Sequence, residues 1–309
     1  MSPPVVPSEA IRYTLVRAAE GYLTVEPKPT QEMLNVFYRD RYFQQAVSAT
    51  FQLAYSSEDL ELMRRQDAMA LALSERLLAG RALPKTLLDV ACGEGFFLAS
   101  ARARGYDVAG MDYASYGIER HNPSMMTWFQ AGDVLQLLDE LAQAPRRFSL
   151  VNLSGILEHV LNPALLLTRA VQVLERGGLV RIVVPNDDSS IQRLAEQLGK
   201  AGKFWVCPPE HLSYFNTGTL RAFLSARGLV IKKLLAEFPI DYFLLNDWSN
   251  YVADPAKGKE AHRTRQHLQR LLHECDEEAY VGLLEAQARC GIGRDLIAYA
   301  TAKEHEDPC

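Results

Sequence analysis

The sequence LLDVACGEGFF, residues 87–97, predicts a buried strand that passes through a glycine-rich turn into a helix. The apolar run ends at Asp89, and Gly93 and Gly95 follow immediately before two phenylalanines. Glycine in such a turn permits positive φ and close approach of a ligand to the backbone. In a doubly wound α/β fold this first strand-to-helix turn lies at the carboxyl edge of the sheet, where ligands bind. The segment therefore predicts a ligand site at the turn.

The turn departs from the dinucleotide fingerprint GxGxxG, because Ala91 and Leu98 stand where further glycines would be needed. The strand also carries an acid. A carboxylate at Asp89 that points into the turn would repel a pyrophosphate and attract a cationic ligand. A nicotinamide or flavin dinucleotide is therefore disfavoured.

Short β-like runs alternate with helical runs through most of the chain. Such alternation favours right-handed crossovers and a parallel sheet with helices on both faces. The sequence predicts an α/β fold with a doubly wound, seven-stranded, mostly parallel, Rossmann-like sheet. The predicted strands are residues 86–92, 107–112, 125–131, 148–154, 179–185, 229–238 and 296–302.

Changes in pattern divide the chain into four parts. Residues 1–55 are predicted to form an N-terminal helical lid, and residues 56–238 the ligand-binding core. Residues 239–292 are predicted to be a helical insert on the substrate side, followed by the last core strand and tail at 293–309. The aromatic residues expected near the substrate are Tyr242, Phe243 and Trp248.

The glycine-rich run resembles the first motif of the class I S-adenosylmethionine-dependent methyltransferases, an acid followed by GxGxG, with Ala91 in place of the first glycine. The resemblance covers roughly residues 60–238 and 290–303. It implies the seven-stranded fold of that family and S-adenosyl-L-methionine as the cofactor. It also implies that the cofactor contacts Asp89, Ala91, Gly93 and Gly95.

Further motifs follow in the order of the family. Asp112 ends the second strand, 17 residues after Gly95, and its implied role is to hold the two ribose hydroxyls, with Tyr113 beside it. Asp133 and Val134 resemble the adenine-binding segment, although Asp133 could instead be the N-cap of the next helix. Two further cofactor contacts are expected, at Leu153 on the fourth strand and at Tyr42, which either closes over the cofactor or only packs the lid.

The fourth strand leads into LEHV, residues 157–160, which resembles the signature of a branch that includes ubiquinone-biosynthesis and other small-molecule methyltransferases. Residues 207–229 resemble a segment of methyltransferases that act on sugars and secondary metabolites. The resemblance implies a small-molecule acceptor, with a sugar or sugar-containing metabolite as the specific expectation.

His211 is the first candidate for a general base, because its loop opens at the carboxyl edge where the methyl group must point. An unperturbed histidine has a pKa near 6.5 and is largely neutral at cellular pH, so it can accept a proton. His159 is the second candidate. A packing or hydrogen-bonding role remains open for both residues.

Composition and charge limit the classes of binding partner that we expect for this chain. Thirty-three Lys and Arg residues against 38 Asp and Glu residues give a net charge of −5, which does not favour nucleic acid or an anionic membrane. No run approaches a membrane span, the N-terminus does not resemble a signal peptide, and the histidines show no metal-ligand spacing. A cytoplasmic protein without a metal or a membrane partner is predicted.

The sequence thus predicts a methyltransferase that methylates oxygen or nitrogen of a small molecule. The alternative is a catalytically inactive protein that binds S-adenosylmethionine and serves as a partner or scaffold. The oligomeric state and the atom methylated are left open by the sequence.

Overall fold

The computed structural model describes residues 12–37 and 55–303, and its centre is a seven-stranded sheet. The strand order is β5-β4-β3-β6-β7-β10-β9, and β10 alone runs antiparallel to its neighbours β7 and β9. The predicted α/β doubly wound fold is confirmed. The strands of this sheet are β3 (Thr86–Val90), β4 (Asp107–Asp112), β5 (Phe129–Ala131), β6 (Phe148–Ser154), β7 (Leu174–Pro185), β9 (Leu229–Ala236) and β10 (Asp295–Ala302).

The central strands are buried on both faces because helices cover both sides of the sheet. In β6 every residue from Phe148 to Leu153 is buried. The third strand differs from the prediction over residues 125–131. Its first part, residues 125–128, belongs to a 3₁₀ helix, Pro123–Trp128, which begins at a proline. Only the last three residues pair with β4.

Ten α-helices are described in residues 12–37 and 55–303, and none of them is long and apolar enough to cross a lipid bilayer. Helix α2 begins with a capping box in which Ser56 and Asp59 bond each other's backbone N–H groups. The helices are α1 (Gln31–Phe37), α2 (Ser57–Leu78), α3 (Phe96–Ala103), α4 (Tyr116–His121), α5 (Val134–Gln143), α6 (Pro163–Gln172), α7 (Ser190–Gln197), α8 (Thr217–Ser225), α9 (Gly258–His273) and α10 (Glu277–Cys290).

The prediction of a helical N-terminal segment is wrong for residues 14–26. These residues form two antiparallel strands, β1 (Thr14–Arg17) and β2 (Leu23–Glu26), and β2 pairs with β8 (Ser213–Tyr214). The helical expectation failed because the strands are only four residues long, too short to show a period, and because β2 is stabilised by a partner far away in sequence. Val25 is fully buried against Trp205 and Leu212 in this small second sheet.

The insert between β9 and β10 has two parts. The first follows the carboxyl end of β9 and includes the 3₁₀ helix Ile240–Leu245. The second contains α9 and α10, and α10 packs its apolar side into the cluster that α2 and α3 form on one face of the sheet. The first part therefore lies at the edge where substrate was expected, and α10 lies on a face of the sheet. Within it Tyr242 is exposed, and Trp248 is 89% exposed.

Candidate active site

The glycine-rich turn has the left-handed backbone conformation that its sequence predicted. The φ angles of Ala91, Gly93 and Gly95 are 59°, 53° and 76°. Gly95 is the N-cap of α3, and a Cβ placed on it would lie 2.9 Å from Cγ1 of buried Ile118. Gly95 is thus required by packing between the turn and α4.

Gly93 is different, because a Cβ placed on it would meet no atom within 4 Å among the described residues. In the part of the chain that the structure describes, the space beside Gly93 is open at the carboxyl edge of β3. Its backbone N–H donates to Oδ2 of Asp112 at 2.9 Å. The open face of Gly93 and the acid at the end of β4 therefore fit a cofactor with a ribose, which is what the sequence predicted for this turn.

Asp112 is 6% exposed, and its other oxygen accepts from the backbone N–H of Ala114 at 3.3 Å. Burial raises the pKa of this carboxyl, and the backbone hydrogen bonds from the turn lower it. Each carboxylate oxygen has a second lone pair. Asp112 can therefore anchor the turn and still accept ribose hydroxyls.

Asp89 does not point freely into the turn, contrary to the sequence-based expectation. It lies within β3, is 2% exposed, and accepts a 2.6 Å hydrogen bond from Nδ2 of Asn152 on β6. Oδ1 of Asn152 accepts in turn from Arg181 on β7 at 2.7 Å. Burial raises the pKa of Asp89 to about 7, although Asn152 and Arg181 act to lower it. A row of hydrogen-bonded polar side chains thus crosses three strands beneath the cofactor turn. No role was assigned to Asn152 or Arg181 from the sequence.

A second group of side chains joins the start of α2 to the turn. The Tyr55 hydroxyl donates to both oxygens of Glu94, at 2.9 and 2.8 Å. The His121 ring lies 3.3 Å from the same carboxyl and 5.3 Å from the Tyr55 ring. Burial raises the pKa of Glu94 to about 7. No spacing pattern indicates this group, because Tyr55 and Glu94 are 39 residues apart.

The remaining predicted cofactor residues are placed as follows. Asp133 is the N-cap of α5, and its Oδ1 accepts from Leu135 and Gln136, as the alternative interpretation held. Leu153 is fully buried in the sheet core, so only its backbone reaches the edge. Half-buried Tyr113 and Val134 follow β4 and Asp133, and the lid residue Tyr42 lies outside the described residues.

The structure brings the two candidate catalytic histidines together. The ring centroids of His159 and His211 are 4.8 Å apart, in an edge-to-face arrangement. Glu158 joins them, with Oε1 3.8 Å from Nε2 of His159. Glu158 also stands at the carboxyl end of β6, because a Cβ on Gly155 would lie 3.8 Å from its Oε1. We call Glu158, His159 and His211 the edge cluster.

Backbone contacts fix the edge cluster from the other side. The carbonyl of Glu158 accepts from the N–H of Leu212 at 2.7 Å and of Ser213 at 3.2 Å. Thr24 of β2 donates its hydroxyl to the carbonyl of Leu212 at 2.7 Å, in a buried position. The N-terminal strands therefore support the loop that carries His211. This support was missed because the N-terminal segment was expected to be helical.

Burial changes the proton chemistry of the edge cluster. It lowers the pKa of His159 to about 4 and that of His211 to about 3, and it raises the pKa of Glu158 to about 8. An imidazole with so low a pKa is a weaker proton acceptor than the sequence indicated, because an efficient base has a pKa near the working pH. The general-base role of His211, with His159 second, stays a prediction.

An ion pair with a buried carboxylate lies close to the edge cluster. Arg294 donates to Oδ1 of Asp187 at 2.9 Å, and Asp187 is fully buried at the end of β7. The charges of Asp187 and Asp295 raise the pKa of Glu158, and that of Arg294 lowers it. These residues were not selected from the sequence, because Asp187 follows β7 and Arg294 precedes β10, 107 residues later.

Comparison with known proteins places the chain in a family. The family model described as "Methyltransferase domain" matches residues 62–234, which include the glycine-rich turn and the edge cluster. The ubiquinone biosynthesis O-methyltransferase of Dechloromonas aromatica is 32% identical over 98 residues, which are 31% of this chain and 42% of that protein. That of Nitrosomonas europaea is 29% identical over 98 residues, with the same coverage. The chain thus spans less than half the length of the curated relatives it matches.

A solved structure, the S-adenosylmethionine-dependent methyltransferase of Archaeoglobus fulgidus, covers 76% of this chain and 93% of its own, at 18% identity and a TM-score of 0.47. The match of the family model to more than half of the chain agrees with the motif order and with the strand order of the sheet. The predicted family is confirmed. The chain belongs to the methyltransferase domain family, and its motifs resemble those of the class I S-adenosylmethionine-dependent methyltransferases.

Proposed function

We propose that this chain transfers the methyl group of S-adenosylmethionine to a hydroxyl oxygen of a small molecule. The observation that carries the proposal is the adjacency of two sites. The cofactor turn follows β3 and the edge cluster follows β6, and these strands pair directly, Val90 with Leu153. Neighbouring strands are about 4.8 Å apart. An acceptor beside the edge cluster would therefore lie next to the cofactor.

The chain's own groups would hold the two reactants. The open face of Gly93 and the carboxylate of Asp112 would bind the cofactor's nucleoside part. When bound, the cofactor supplies an electrophilic methyl group on a cationic sulfonium. The edge cluster would hold the acceptor hydroxyl in line with that methyl carbon. Such positioning can supply about 7–11 kcal/mol of a barrier, so a dedicated base is not needed for most of the rate.

Oxygen is favoured over nitrogen as the methylated atom because the relatives from D. aromatica and N. europaea are named O-methyltransferases. A sugar acceptor has no support in the comparisons and stays a prediction. The inactive scaffold alternative is not favoured, since the edge cluster keeps three chemically capable side chains together at the sheet edge.

The test uses S-adenosylmethionine labelled with ¹³C in its methyl group and a small-molecule extract of the organism that makes the protein. Carbon NMR of the products separates methyl groups on oxygen, nitrogen and carbon. A labelled O-methyl product is expected. It should be lost in His211→Ala and kept in His267→Ala, a control on the exposed side of α9. Labelled N-methyl product alone would contradict oxygen transfer, and S-adenosylhomocysteine binding with no transfer would favour the scaffold alternative.

A further inference from the structure

We propose that Glu158, His159 and His211 bind one divalent transition-metal ion, and that this ion holds the acceptor hydroxyl. The three side chains offer two imidazole nitrogens and a carboxylate oxygen, all within 4.8 Å of one another. The catalytic role of the ion depends on the proposed function. Its binding does not, and the two are tested separately below.

The distances permit a common ion after the side chains adjust. Histidine nitrogen and carboxylate oxygen bind zinc at about 2.0–2.2 Å, so at a tetrahedral angle two ligands of one ion lie about 3.4 Å apart. Oε1 of Glu158 and Nε2 of His159 are close to that separation, at 3.8 Å. The ligand atoms of the three side chains lie within 4.8 Å of one another, so the widest pair must approach by at most about 1.4 Å, which rotation about the side-chain bonds can provide.

One hydrogen bond orients His159, and a buried atom of each of the other two side chains has no partner among the described residues. Nδ1 of His159 donates to the carbonyl of Glu210 at 2.7 Å, which directs Nε2 toward Glu158. A ligand histidine is usually oriented in this way by a hydrogen bond from its other nitrogen. Nδ1 of His211 and Oε2 of Glu158 are buried and have no hydrogen-bond partner among the described residues. Glu158 is only 3% exposed, so an unpartnered oxygen there is costly unless something binds it.

The surrounding charge favours a cation. Glu158 lies within the field of two further carboxyls, Asp187 and Asp295, against one nearby cation, Arg294. Oδ2 of Asp187 is also buried without a partner among the described residues. Buried carboxylates are stabilised when they are paired or coordinate a metal. A positive ion at the edge cluster would balance this excess of acidic groups.

The donor set selects the class of ion. Two histidines and one carboxylate suit Zn²⁺ or Fe²⁺ and leave coordination positions open, whereas Mg²⁺ and Ca²⁺ prefer oxygen ligands. An open position would take the acceptor oxygen, whose pKa the ion lowers. The O–H proton then leaves to solvent, the oxygen forms a bond to the methyl carbon, and the C–S electron pair remains on sulfur. The products are a methyl ether and S-adenosylhomocysteine, and no oxidant or reductant is consumed.

Cobalt(II) is the probe for binding, added to the chelator-treated full chain and followed by its visible absorption. One equivalent should bind, with ligand-field bands and without a thiolate-to-cobalt charge-transfer band, and Zn²⁺ should displace it. Glu158→Gln and His211→Asn should each weaken binding about 100-fold or more, while His267→Ala should not. Circular dichroism and S-adenosylhomocysteine affinity confirm that each variant is folded.

Unchanged cobalt binding in both folded ligand variants would overturn the site, as would a thiolate band, which would assign the ion to a cysteine such as Cys207. No binding by the wild-type chain would overturn it as well. The ¹³C transfer assay with and without chelator tests the role of the ion. Transfer that persists after the metal is removed would overturn the role and leave the proposed function standing. Metal binding without O-methyl product would contradict the proposed function alone.

Discussion

The two glycines of the cofactor turn should respond differently to alanine. Both have positive φ, 53° at Gly93 and 76° at Gly95, so an alanine side chain is strained by about 1–2 kcal/mol at either position. Alanine also reduces the conformational freedom of the unfolded chain, and this offsets about 0.4–1 kcal/mol of the strain. At Gly95 the new Cβ would also lie 2.9 Å from Cγ1 of Ile118, which is fully buried and cannot move aside. Such overpacking adds about 1–3 kcal/mol.

We therefore expect Gly95→Ala to lower the free energy of unfolding by about 2–4 kcal/mol and Gly93→Ala by about 1 kcal/mol. For cofactor binding the order should be reversed, with the larger effect from Gly93→Ala. The Cβ at position 93 meets no described atom and enters the open space, so it should weaken S-adenosylhomocysteine binding tenfold or more, which is about 1.4 kcal/mol.

Urea unfolding and isothermal titration calorimetry, with both variants and the wild-type chain, measure these quantities. Equal destabilisation by the two variants would show that contact with Ile118 does not distinguish the glycines. Wild-type affinity for S-adenosylhomocysteine in folded Gly93→Ala would refute the assignment of the open space to the cofactor.

Three further predictions concern the supports of the site. Asp112→Asn should weaken S-adenosylhomocysteine binding by about tenfold or more in calorimetry, because charge-assisted hydrogen bonds to the ribose are lost, and unchanged affinity would remove this residue from the site. Glu94 has a folded pKa of about 7, above its ordinary 4.5, so the folded chain binds the extra proton and stability falls as pH rises between these values. Relative to Glu94→Gln, the wild type should lose about 1–3 kcal/mol between pH 5 and pH 8 in urea unfolding, and a constant difference would contradict this. Thr24→Val should cost about 1–3 kcal/mol of stability by leaving the Leu212 carbonyl unpaired, and it should lower turnover while S-adenosylhomocysteine affinity stays unchanged. Equal losses of turnover and cofactor affinity would show that Thr24 stabilises the fold as a whole and does not specifically support the His211 loop.

The central sheet was predictable because its signals are local. In a strand such as Phe148–Ser154 apolar residues predominate and stand on both faces, and this pattern marks a strand that is covered on both sides. The glycine-rich turn and Asp112 are likewise each recognisable within a few residues. The strands Thr14–Arg17 and Leu23–Glu26 are too short to carry such a pattern. Their stability comes from Trp205, Leu212 and Tyr214, nearly 190 residues later.

The candidate site residues could be selected one by one from the sequence, but their arrangement could not. His159 and His211 were selected separately, from the loops that hold them, and nothing in a spacing of 52 residues indicates that their rings touch. The contact depends on the carbonyl of Glu158, which pairs with the loop at Leu212. Asp133 shows the opposite case, since its interpretation as an N-cap was fully local and the structure bears it out.

The proton chemistry of His211 could not follow from the sequence, because it depends on burial. In water an imidazole with a pKa near 6.5 accepts a proton readily at neutral pH. In this structure desolvation, with the neighbouring His159 and Arg294, lowers the pKa of His211 to about 3. The surroundings that weaken it as a base also keep its nitrogen neutral and able to bind an electrophile or accept a hydrogen bond. Under the proposed function, catalysis at this edge depends mainly on holding the acceptor oxygen in place, beside the paired strands β3 and β6.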